Sequence, residues 1–152
     1  MTNVLEGMMS DIKSLLKRVS HLEARRTPTW VYLATPLTST AWDGDARSTT
    51  AKTLIDLSSV FGAPAGIKAV LMRISGRDSA SYTDSSAWIG FGPDNVDYKV
   101  AILVRPSGIV NDNLTEGQGI VPCDANGDIY YQCGASGAGT LDVWLDIWGY
   151  LI

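Results

Sequence analysis

Leu141-Asp142-Val143-Trp144-Leu145-Asp146-Ile147-Trp148-Gly149-Tyr150-Leu151-Ile152 carries the clearest β-pattern in the chain. Leu141, Val143, Leu145, Ile147 and Leu151 alternate with Asp142, Trp144, Asp146, Trp148 and Tyr150. A period of two puts alternate side chains on opposite faces of a β-strand, so one face is aliphatic and belongs in a core. The opposite face mixes aromatics with acids. Large aromatics with a polar tip concentrate at interfaces, so Trp144, Trp148 and Tyr150 are expected to pack between subunits. A stacking surface for a host glycan and simple cover by a loop are the other two readings.

Working upstream, the same period recurs over 29–34, 52–58, 67–75, 87–91, 98–105, 119–121 and 128–133, with a short extra strand near 37–42. Turn residues separate these runs: Asp43-Gly44-Asp45, Gly62-Ala63-Pro64, Gly76-Arg77-Asp78, Gly92-Pro93-Asp94-Asn95, Asn126-Gly127 and the glycine-rich 134–139. No helical pattern intervenes. Strands in this number, without helices between them, read as an antiparallel β-sandwich over 27–152 that is jelly-roll-like. The 152 residues, 45% apolar, fill one core, and 15 Gly with only 18% charged residues suit a turn-rich, mainly β body.

Residues 1–26 read differently. They hold one glycine, Gly7, and no proline. Leu5, Met8, Ile12, Leu15, Val19 and Leu22 fall at alternating spacings of three and four, which is a heptad seam with Leu5, Ile12 and Val19 at a and Met8, Leu15 and Leu22 at d. A lone helix of this length is marginal in water, so the stripe needs a partner. Met9 and Leu16 at e positions widen the apolar face. Arg18 at g can fork to a neighbouring chain's Glu23 at e while its stem covers the seam. These features predict a trimeric coiled coil. β-branched residues at a with Leu at d instead favour dimers, and a helix lying on its own sandwich is the third arrangement. Arg25-Arg26-Thr27-Pro28 is expected to end the helix.

Several function classes find no support. Twelve basic residues against 16 acidic ones give no positive field for nucleic acid or an anionic membrane. No apolar run is long enough to cross a bilayer, and a signal-peptide pattern is lacking. His21 is the only histidine and lies on the helix, so no nucleophile–base arrangement forms. Asp124, Asn126 and Asp128 resemble the start of a calcium loop, but the sixth and twelfth places hold Ile129 and Ala135, and a tight hairpin is the better reading. That hairpin would set Cys123 opposite Tyr130 and Cys133 opposite Ile120, leaving both cysteines as free thiols. Asp142 and Asp146 lie about 13 Å apart along one strand, too far for a glycosidase pair. No enzyme activity, cofactor or metal is therefore expected. A sugar-binding module would use Trp144, Trp148 and Tyr150, or the loop aromatics Trp42, Tyr82 and Trp88.

A short trimerising helix followed by a turn-rich sandwich resembles the virion proteins of tailed bacteriophages: short fibres, head-decoration proteins and receptor-binding heads. The resemblance lies in the 37–45 stretch, the 53–58 strand and, above all, Asp128-Ile129-Tyr130-Tyr131-Gln132 together with the closing strand. It implies a homotrimeric, non-enzymatic structural protein, made in the host cytoplasm and carried in the virion on capsid or tail. Its partners would be itself, other virion proteins and a host surface glycan. A capsid-stabilising cement protein and a glycan-adhesion module are the alternative roles.

Overall fold

The computed structural model describes residues 2–23, 27–48, 51–79, 87–106 and 113–152. The chain opens with helix α1 (Thr2–Glu23) and continues through β1 (Trp30–Leu37), β2 (Asp43–Arg47), β3 (Thr53–Ile55), α2 (Leu57–Phe61), β4 (Ala69–Asp78), β5 (Trp88–Gly92), β6 (Ile102–Val104), β7 (Thr115–Pro122), β8 (Ile129–Gly134) and β9 (Leu141–Leu151). The architecture is mainly β, antiparallel, with one long N-terminal helix.

Two sheets share the core. One runs β1-β9-β4-β7, with β2 pairing the other end of β9, and the second runs β3-β8-β5-β6. The pairing folds back symmetrically on the chain: β1 and β2 lie on β9, β3 on β8, β4 on β7 and β5 on β6. Val70, Met72, Ile74, Leu141, Val143, Leu145 and Ile147 from the first sheet meet Ile55, Ile89, Phe91 and Ile129 from the second. The inward glycines of β7 leave room for β6: a Cβ on Gly117 would come within 2.8 Å of Val104.

The structure departs from the expected strands at several places. Gly76-Arg77-Asp78, expected as a turn, is the end of β4, because Arg77 pairs across to Asp142 of β9, and the short extra strand expected near 37–42 is not formed beyond Leu37. The run expected to continue to Ser58 stops at Ile55, because the Asp56 side chain accepts from Ser59 N–H and starts α2, which Gly62 ends at φ 71°. Asp56 is a strong N-cap and outweighs the alternating pattern. The turn expected at Asp43-Gly44-Asp45 is strand β2, preceded by a 3-10 turn at Thr40–Trp42. β7 spans eight residues where only 119–121 were expected. Finally, 98–101 is not strand. Residues 93–101 form a strap folded over the outer side of β5 and β8, where Gly90 and Gly92 let it approach and Tyr98 adopts φ 62°.

The Asn126-Gly127 hairpin register is also corrected. β7 and β8 belong to different sheets, and Cys133 pairs with Ile89 rather than facing Ile120. Asp124 organises the crossing: its Oδ1 accepts from the N–H groups of Asn126, Gly127 and Asp128 at 2.8, 3.1 and 3.0 Å. Asp128 in turn accepts from Leu57 N–H at 3.0 Å. Both carboxylates thus hold backbone, the work the calcium-like spacing does here. Cys123 and Cys133 form no disulfide with each other, and burial pushes the Cys123 thiol up to about 12.

Candidate interaction site

The heptad stripe of α1 is open from Leu5 to Val19. Leu5, Met8, Ile12, Leu15 and Val19 are 49 to 63% exposed, as are the flanking Met9 and Leu16. Arg18 is exposed on the same helix. Leu22 and Glu23 close α1, and their side chains lie outside the described residues, as do Arg25 and Arg26. Within the chain the helix therefore does not bury its apolar face on its own sandwich.

The outer face of the β1-β9-β4-β7 sheet divides into two halves. In one half charges are paired across strands. Arg77 of β4 stands opposite Asp142 of β9 and donates to it from Nε at 3.0 Å and Nη2 at 2.8 Å. Arg73 stands opposite Asp146 at 3.4 Å and also pairs with Glu116 of β7. Ser75 Oγ donates to Glu116 at 3.2 Å. Trp144 lies between the two acids, opposite Ser75, with the Arg77 guanidinium 5.5 Å from its ring centroid and its ring packed on Gly44 of β2. The acids flanking the indole thus serve as ion-pair partners.

The other half is apolar. Tyr32, Gly149, Leu71 and Ile120 lie in one register row across all four strands, and Trp30, Leu151, Ala69 and Pro122 form the next. Tyr32 is 72% exposed and stacks on Trp30 at 6.3 Å, Ile120 is 52% exposed, and Trp148 is 39% exposed. This half adjoins the start of β1 and a groove of about 480 Å³ lined by Thr27, Pro28, Thr29, Lys68 and Ile152.

The boundary between the halves is a β-bulge in β9. Met72 pairs with Ile147 but Leu71 pairs with Gly149, so Trp148 is the extra residue. After the bulge the alternation reverses. Tyr150 pairs with the inward Val70 and packs against the core, leaving the face where Trp144 stands. The expected single aromatic face is thus corrected: the structure does not bring Trp144, Trp148 and Tyr150 together. Gly149 is the signal in the sequence that could have shown this, since an interior strand glycine marks a bulge or a close approach. A Cβ there would meet the Val31 carbonyl at 2.8 Å.

The loop aromatics are placed otherwise than expected. Trp42 is buried, edge-on to Tyr131 at 4.8 Å and covered by the Arg47 guanidinium at 3.8 Å, so it offers no face to a ligand. Trp88 is half-buried against Tyr98 at 6.0 Å. Tyr82 lies outside the described residues. Among the described residues no cluster of three or more metal-ligating side chains occurs, and no helix is long and apolar enough to cross a membrane.

No family model matches the sequence, and no curated protein matches it either. Solved structures similar to this chain include viral capsid proteins. The Tobacco streak virus coat protein is 12% identical with a TM-score of 0.41, covering 84% of this chain and 85% of that one. The capsid structure of Helicobacter pylori bacteriophage KHP30 is 11% identical with a TM-score of 0.42, covering 83% and 94%. A carbohydrate-binding module from Cellvibrio mixtus lichenase 5A, in complex with cellotriose, is 15% identical with a TM-score of 0.35, covering 77% and 97%.

Proposed function

We propose that the chain is a non-enzymatic structural protein of a phage particle, a homotrimer joined through α1 that displays a jelly-roll head on the capsid or tail as a short fibre or decoration protein. The observation that carries this reading is the α1 stripe, a strict heptad seam whose described members are 49 to 63% exposed on their own chain. Leaving seven large apolar side chains in water costs about 1.5–3 kcal/mol each relative to full burial, and self-association recovers part of it. The wide a/d/e face and the Arg18–Glu23 spacing favour three chains. The first-to-last strand pairing, repeated inward through β3·β8, β4·β7 and β5·β6, supports the jelly-roll reading.

The apolar half of the β1-β9-β4-β7 face fits the same assembly. Only six residues separate Glu23, where α1 ends, from Trp30, where β1 begins, so joined helices hold the bases of neighbouring heads close together. A second copy of this chain then covers Tyr32, Trp148 and Ile120, and the self-paired charged half stays in solvent. The test is a tagged chain expressed during infection and located by immunogold electron microscopy. Label on particles supports the reading, and particles without the chain overturn it.

A further inference from the structure

Between Leu37, where β1 ends, and Asp43, where β2 begins, the edge of β9 loses its partner. β1 pairs as far as Ile147 and β2 takes up at Trp144, so the edge at Leu145 and Asp146 faces the 38–42 connection with no strand beside it. A strand edge without a partner presents backbone N–H or C=O groups. The gap forms a cleft of about 150 Å³ whose polar wall is Thr38, Ser39, Thr40, Asp43 and Asp146, with Trp42, Trp144 and Leu145 completing the lining. Among the described residues, no hydrogen bond or ion pair engages the side chains of Thr38, Ser39, Thr40 or Asp43. Three hydroxyls, one uncompensated carboxylate and an indole therefore converge on one small opening.

The chemistry of these groups selects the ligand. An anion is repelled by Asp43, while Asp146 already pairs with Arg73 and leaves too little charge for a divalent cation. A neutral polyol meets every requirement. Vicinal hydroxyls donate to the two oxygens of Asp43, hydroxyls exchange hydrogen bonds with the threonines, and C–H groups of the ring meet the part of the indole that borders the cleft. We infer that this cleft binds one neutral sugar ring, a pyranose unit of a glycan. The site is distinct from the open apolar half of the sheet and does not depend on how many chains assemble.

The test is a titration of the ¹⁵N-labelled full chain with methyl glycosides of glucose, galactose, mannose and N-acetylglucosamine, following the tryptophan indole N–H signals. At least one sugar should shift the Trp144 signal saturably in the millimolar range. Asp43→Ala should weaken it about tenfold or more by removing a charged acceptor, and Thr38→Val should weaken it too, deciding the matter if Asp43→Ala fails to fold. Leu54→Ala, exposed on β3 in the other sheet, should leave binding unchanged. No saturable shift with any of the four sugars, binding that survives both cleft variants, or binding lost with Leu54→Ala would each overturn the inference.

Discussion

Arg73 of β4 stands directly opposite Asp146 of β9, 3.4 Å apart, and two residues further along β9 the bulge at Trp148 turns the sheet's outer face from charged to apolar. A single extra residue thus separates a self-satisfied surface from one that wants a partner.

The bulge depends on Gly149. Gly149→Ala drives a Cβ against the Val31 carbonyl, a backbone atom fixed in the β1 ladder. It should cost about 1–3 kcal/mol, read as a lower urea midpoint with unchanged slope.

Arg77 shields Asp142, whose side chain is only 16% exposed. Arg77→Ala should cost about 1 kcal/mol, and the difference from the parent chain should shrink as salt rises. A salt-independent loss would point instead to lost packing of the arginine stem on Trp144.

The Asp56 carboxyl lies below its ordinary value, chiefly because Ser59 N–H and then Ser58 donate to it. A depressed folded-state value means its contribution is present above the unfolded carboxylate range and fades as pH falls through the folded value. Asp56→Asn should therefore flatten part of the acid limb of the stability–pH curve, measured by thermal melts from neutral to acid pH.

The Cys123 thiol, pushed up to about 12 by burial and the nearby acids, stays protonated at pH 8, and Cys133 is fully buried. Alkylation of the native chain by iodoacetamide should be about a hundredfold slower than that of a free thiol, with both cysteines reacting readily in denaturant. Fast labelling of native Cys123 would contradict the packing described.

Much of this architecture is legible in the residues. The closing strand shows which of its side chains face the core as far as Ile147, because burial and a period of two act together there. The helix is equally plain from its heptads. What escapes a reading of pattern is what local hydrogen bonding overrides. Asp56 starts a helix inside an alternating run, and Asp124 gathers three amides to swing the chain between sheets. β7 hides because Gly117 and Gly119 occupy inward positions that β6 fills with Val104 and Ile102, a tertiary fit with no local signature. The buried Gln132 is similar: outward on β8, it is covered by the strap and accepts from Tyr98 N–H at 2.7 Å. The cleft beside Trp144 needs β1 and β2 to part along β9, and only the paired strands reveal that.

The most direct test of the assembly is the solution mass of the full chain by light scattering, beside Ile12→Asp, which puts a charge in the middle of the α1 seam. A mass of three times 16.3 kDa for the parent chain, falling to that of a single chain in the variant, is the expected result. A parent chain that weighs 16.3 kDa would contradict the seam and the trimer built on it.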